Sequence, residues 1–99
     1  MSTSDRAPTA SVRDNPEQQR FEMDTSAGLA VAEYRRDGDT LVIFHTEVPA
    51  ALRGQGMGDK LVSGVLDNVR RRGLKIVPRC WFVREFVRGN PEYGDLVGS

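Results

Sequence analysis

The sequence predicts an α+β domain built on one mixed sheet, and three observations carry that prediction. Short runs that alternate polar and apolar residues are separated by tight-turn signals at Thr25-Ser26-Ala27-Gly28 and Asp37-Gly38. A glycine-rich stretch, Arg53-Gly54-Gln55-Gly56-Met57-Gly58, stands between a β-type run and a run with helical spacing. A short strand and a second helical segment follow it. The expected order is three antiparallel strands, a β-α-β crossover and a second helix.

Length and charge bound the rest. With 99 residues there is room for one small core. Fourteen basic side chains balance fourteen acidic ones, which argues against a chain whose main work is coating nucleic acid or an anionic membrane. No apolar run approaches the ~20 residues of a membrane span, and the first residues lack the apolar core of a signal peptide, so a cytoplasmic protein is expected. Cys80 is the single cysteine, which excludes an internal disulfide. No metal is assigned.

Taken in order, residues 1–18 are largely polar and read as a disordered leader, with the folded domain over 19–97. Arg20 to Asp24 and Leu29 to Arg35 form a first hairpin, and Asp37-Gly38 joins the second strand to a third over Thr40 to Val48. That third strand is rich in β-branched and aromatic residues, and Pro49 ends it by removing a donor. After the glycines, Met57, Leu61, Val62, Val65, Leu66 and Val69 recur at helical spacing. Arg70, Arg71 and Arg72 fill the last turn, where cations suit the helix dipole, and Gly73 stops it. Leu74 to Val77 is a short strand ended by Pro78. A helix separates it from the third strand, which predicts parallel pairing. Phe82, Val83, Phe86 and Val87 then fall at helical spacing before Gly89-Asn90-Pro91, and Tyr93, Leu96 and Val97 offer one docked patch in the tail. Trp81, Phe82 and Phe86 read as core.

The glycine stretch is a phosphate cradle. Glycines at a helix start expose backbone N–H groups where unpaired donors and the dipole favour an anion. The Walker spacing and the dinucleotide Gly-x-Gly-x-x-Gly spacing both fail against Gly54-x-Gly56-x-Gly58. The pattern Arg/Gln-x-x-Gly-x-Gly/Ala does fit, with Arg53 and Gln55 beside Gly56 and Gly58. Together with His45-Thr46-Glu47-Val48-Pro49, Pro78-x-Cys80 and Asn90-Pro91-Glu92-Tyr93, it resembles the acetyl-CoA loop of the GCN5-related N-acetyltransferases, and more narrowly their small, truncated subgroup. The resemblance covers about Phe21 to Tyr93. Full-length relatives place one or two helices between the first two strands to wall the acceptor site, and Thr25 to Gly28 leaves no room for them.

This resemblance implies a minimal acetyltransferase fold, acetyl-CoA as cofactor, and acetyl transfer to an amine, small or on a protein lysine or terminus, by direct attack on the thioester. It implies that the strand before the loop splays from its parallel neighbour and that Thr46 and Val48 pair with the cofactor arm, the Val48 N–H facing the acetyl oxygen. It carries pyrophosphate contacts onto Arg53, Gly54, Gln55, Gly56, Met57, Gly58, Asp59 and Lys60, and a cofactor contact onto Asn90. Lys60 adds a mobile charge there; the competing reading is a solvated first-turn lysine. Tyr93 reads as packing.

His45 alternates with Leu41 and Ile43 on one face of the strand, two residues before Glu47 on that face; either can act as base, or the histidine is structural. Cys80 follows the fourth strand, as a thiol that contacts the cofactor arm, accepts the acetyl group transiently or takes part in proton transfer, or as inert core. A non-catalytic CoA-binding module is the alternative reading. An RNA-binding domain using Arg70 to Arg72 is a third, disfavoured by the absent net charge. The missing acceptor wall leaves monomer or weak homodimer open.

Overall fold

The computed structural model describes residues 12–98. Its five-stranded sheet runs in sequence order, β1 (Val12–Asn15), β2 (Arg20–Thr25), β3 (Gly28–Asp37), β4 (Thr40–Glu47) and β5 (Lys75–Pro78). The first four strands pair antiparallel, and β5 lies parallel to β4. Helix α1 (Met57–Arg71) makes the crossover, and α2 (Trp81–Gly89) follows β5. The expected strands, loop, crossover and second helix are all present.

One core holds them together. Phe21, Met23, Ala30, Ala32, Tyr34, Leu41 and Ile43 supply the sheet side; Leu61, Val62, Val65, Leu66 and Val69 of α1 and Val83 of α2 cover it. The helices therefore occupy one face of the sheet, and the other face carries mainly polar side chains.

The leader expected over 1–18 must be corrected from Val12 onward; residues 1–11 lie outside those described. Strand β1 shows little apolar alternation because polar pairs hold it. Arg13 meets Asp24 at 2.9 Å and Glu22 at 3.2 Å, and the Asn15 amide donates to Glu22 at 3.0 Å. Tyr34 donates its hydroxyl to Asp14 at 2.6 Å, and Arg72 reaches the same carboxylate at 3.0 Å. Burial and the Asp14 carboxylate push the Tyr34 phenol well above its usual value. Val12 is buried directly over Gly64, where even a methyl group would collide with it.

The tail docks as expected. Leu96 is buried, Val97 bridges to Ile76, and Arg70 grips both Asp95 oxygens at 3.0 Å and the Glu92 carbonyl at 2.9 Å. With Arg72 on Asp14 and Asn68, two of the three arginines considered for RNA are engaged inside the fold.

The β3–β4 register shifts beside Glu33 and Tyr34. Tyr34 opposes Ile43, but Glu33 opposes His45, Ala32 opposes Thr46 and Val31 opposes Glu47. Phe44 is the extra residue. A bulge reverses which residues face which side, and this overturns one expectation. His45 and Glu47 share a face with each other but not with Leu41 and Ile43; Thr46 takes the helix side, opposite buried Ala32.

Candidate functional site

The site begins where β4 and β5 part. Their pairing ends at Ile43 and Pro78, and proline has no N–H with which to extend it. The Ile43 carbonyl instead accepts from the N–H groups of Arg79 at 2.9 Å and Cys80 at 3.0 Å, which turns the chain into α2. Beyond that point β4 keeps only β3 as a neighbour. A cavity of about 850 Å³ lies at the free end of the strand.

His45, Thr46, Glu47 and Val48 form one wall of this cavity, and Arg53, Gly54, Gly56, Met57, Gly58 and Asp59 form another. The loop is folded by its own bonds: Leu52 N–H to Pro49 O at 2.9 Å, Arg53 N–H to Ala50 O at 3.3 Å and Gln55 N–H to Leu52 O at 3.3 Å. Gly54 and Gly56 take φ of +83° and +79°, a region that suits glycine, and Gly56 caps α1. Among the described residues, no protein acceptor meets the N–H groups of Gly54, Gly56, Met57, Gly58 or Asp59; the first helical bond comes from Lys60 N–H to Gly56 O at 3.1 Å. Five free donors thus border the cavity at the positive end of a fifteen-residue helix.

Gln55 and Lys60 are not brought to the cavity wall. The Gln55 amide turns back to Ala51 O at 3.4 Å, and Lys60 is exposed beyond the loop. Leu52 and Phe82 line the cavity and were missed from the sequence. The signal for Phe82 is Gly58: a Cβ there would stand 2.7 Å from Phe82 Cζ, so the glycine leaves room for the ring.

The catalytic candidates converge at the strand end. His45 Nε2 lies 3.4 Å from Glu47 Oε1, with both side chains at least half exposed. Across the gap, Thr46 Oγ1 and Cys80 Sγ are 3.5 Å apart. Burial raises the Cys80 pKa, but the Thr46 hydroxyl and the backbone N–H groups of Val83, Phe82 and Thr46 outweigh it, so the thiol sits below its ordinary value. No protein acceptor among the described residues meets the Val48 N–H, which leaves it free beside the cavity.

Asn90 belongs to a second, smaller cavity of about 220 Å³, lined with Asp59, Trp81, Phe82, Glu85 and Phe86. Asp59 and Phe82 are common to both cavities. The Asn90 amide donates to Phe86 O at 2.8 Å, and the Tyr93 ring packs 5.8 Å from that of Phe86. Trp81 is not core as expected: 65% of it is exposed. It starts the helix on the solvent side, while Val83 two residues on takes the buried position.

Known proteins resemble this chain in sequence and in fold. The profile of the GCN5-related N-acetyl-transferase family matches residues 20–96. Protein NATD1 of Homo sapiens and of Bos taurus is 40% identical over 63 residues, 63% of this chain and 56% of the relative. The chain thus spans just over half the length of these curated relatives. An NMR structure of a GCN5-like candidate N-acetyltransferase from Staphylococcus aureus superposes with a TM-score of 0.67 at 29% identity, covering 92% of this chain and 90% of the other.

Proposed function

The chain belongs to the GCN5-related N-acetyltransferase family, and from that membership we propose that it is an acetyl-CoA-dependent N-acetyltransferase acting on an amine. One observation carries the reading: five unpaired backbone donors border a cavity that runs to the free end of a splayed strand. A diphosphate suits the donors and the helix dipole, and Arg53 adds a fixed positive charge to the same wall.

The remaining residues fit the pantetheine arm and the chemistry. Strand β4 offers unpaired backbone along the gap, with Thr46 and Val48 beside it. Acetyl-CoA, when bound, supplies an activated acyl group. The Val48 N–H is placed to stabilise charge developing on a carbonyl oxygen. His45, oriented by Glu47, takes the proton that an ammonium must lose before its nitrogen can attack, directly or through water. Cys80 stands at the gap, where a thiol can return a proton to a leaving thiolate. Gln55, Lys60 and Asn90 contribute outside the main cavity.

No helix among the described residues is long and apolar enough to cross a membrane, and we place the activity in the cytoplasm. The amine is carried by a small molecule or by a protein lysine or terminus, and the working unit is a monomer or a weak homodimer.

The test is an amide-resolved NMR titration with acetyl-CoA, followed by CoA-release assays on a panel of amines. Shifts at Val48, Gly54, Gly56 to Asp59 and Cys80, with release on at least one amine, are expected. Binding without release from any amine favours the non-catalytic module. No shifts at millimolar ligand overturn both readings.

A further inference from the structure

The bulge sorts the end of β4 onto two sides of the sheet. Thr46 takes the helix side and reaches Cys80, whereas His45 and Glu47 take the other. The free donors at the start of α1 lie on the helix side, so the proton acceptors look out on the opposite, polar face, where an amine has to arrive to lose its proton. Two side chains that do not line the cavity stand beside that point. Glu33 of β3 is directly opposite His45 in the antiparallel register, which puts their Cβ atoms roughly 5 Å apart. Phe44 is 43% exposed, with the Arg35 guanidinium 5.7 Å from its ring centre.

The carboxylates of this face differ in one respect. Arg13 meets both Glu22 and Asp24, and Arg20 donates to Glu22 at 2.8 Å. Arg20 also stands opposite Glu33, but its guanidinium is turned to Glu22. Among the described residues no cation pairs with the half-buried Glu33 carboxylate. Glu47 meets His45 through Oε1, which leaves Oε2. The base thus has one free acceptor across the ladder, another along its own strand, and an aromatic ring next to it. That set suits an alkylammonium, whose N–H groups the carboxylates accept and whose apolar stem the ring covers.

We propose that Glu33 selects the acceptor by charge, receiving an aliphatic amine as its ammonium on the polar face of the sheet beside His45. The assignment rests on the acetyl-CoA reading above and narrows its amine to those that are charged at neutral pH, in preference to aromatic amines, which are not. Glu33 holds the ammonium and exchanges no proton; that work stays with His45 and Glu47.

The full chain, saturated with CoA, is titrated with n-butylammonium and separately with n-butanol, a neutral molecule of the same size, and amide-resolved NMR reads the shifts. The amine is expected to move the Glu33, Phe44, His45 and Glu47 amides, and the alcohol to leave them in place. Glu33→Gln should weaken the amine about two- to fivefold, as loss of one partly exposed ion pair does, and Glu33→Asp should recover part of the loss. Neither variant should alter the CoA shifts at Gly54 and Gly56. Added salt should weaken the amine more in the unaltered chain than in Glu33→Gln. Equal shifts with the alcohol, equal amine affinity in Glu33→Gln, or no amine shift at all overturns the role of Glu33 and leaves the acetyl-CoA reading standing. If CoA itself moves none of the glycine-loop amides, both fall.

Discussion

The two halves of β4 differ more than their sequence suggests. Thr40 to Ile43 is paired on both sides, and Leu41 and Ile43 are 1% exposed. Phe44 is the unpaired extra residue, His45 to Glu47 is paired on one side only, and Phe44, His45 and Glu47 are exposed. Two local features make the difference: Pro78 ends the parallel ladder, and the extra residue at Phe44 reverses the side-chain alternation. The first half anchors the fold. The second presents side chains and free backbone to a cavity, which a fully paired strand cannot do.

The contrast predicts unequal costs for truncation. Ile43→Ala removes a fully buried side chain below the point where Arg79 and Cys80 hang from its carbonyl, and should cost about 3–4 kcal/mol of unfolding free energy. Glu47→Ala, four residues along, should change stability by no more than about 0.5 kcal/mol, while lowering turnover. Urea denaturation of both variants measures this. Comparable losses would mean that the exposed half is also structural, and the division of the strand would fail.

The glycine loop allows a finer version of the same comparison. Gly58→Ala drives a methyl group into Phe82 and should cost about 1–3 kcal/mol through overpacking. Gly56→Ala meets no neighbour within 4 Å; its cost of about 1 kcal/mol comes from the positive φ alone. Thermal unfolding gives the two stabilities, and the Phe82 ring resonances should move only in Gly58→Ala. Equal perturbation of the ring by both variants would show that the loop and α2 are not independently placed.

What the sequence revealed follows the same division. Turns and helices are local, so Asp37-Gly38, the glycine loop and α1 were legible from residue types, and Gly38, Gly54, Gly56 and Gly73 do take the positive φ that turns and caps require. The family resemblance pointed to His45, Thr46, Glu47 and Val48, and these four line the main cavity. Strand β1 was not legible because charge pairs with Glu22, Asp24 and Arg72 hold it, and hydrophobic alternation does not register them. The bulge was hidden because one extra residue leaves composition unchanged while moving His45 to the other face. Trp81 was misread since periodicity in a nine-residue helix identifies an apolar stripe more securely than its edges. Gln55 and Lys60 fit the motif by position, but their side chains turn elsewhere.

The smallest expected effect concerns the contact that spans the opened gap. In the folded chain the Cys80 thiol lies below its ordinary value: burial pushes it up, and the Thr46 hydroxyl with the Val83, Phe82 and Thr46 N–H groups pulls it down further than that. Thiolate absorbance should therefore titrate with a midpoint below that of an unperturbed cysteine. Thr46→Val removes one of the compensating donors without changing the burial, so the midpoint should rise. The sign for stability follows from linkage. A group whose folded pKa is depressed stabilises the fold above its unfolded pKa and loses that contribution as pH falls through the folded value. Relative to Cys80→Ala, the unaltered chain should thus gain stability as pH rises through this window and lose the gain in acid. A midpoint at or above that of free cysteine, unmoved by Thr46→Val, would mean that the thiol across the gap is held by packing alone and that the open half of β4 does not tune it.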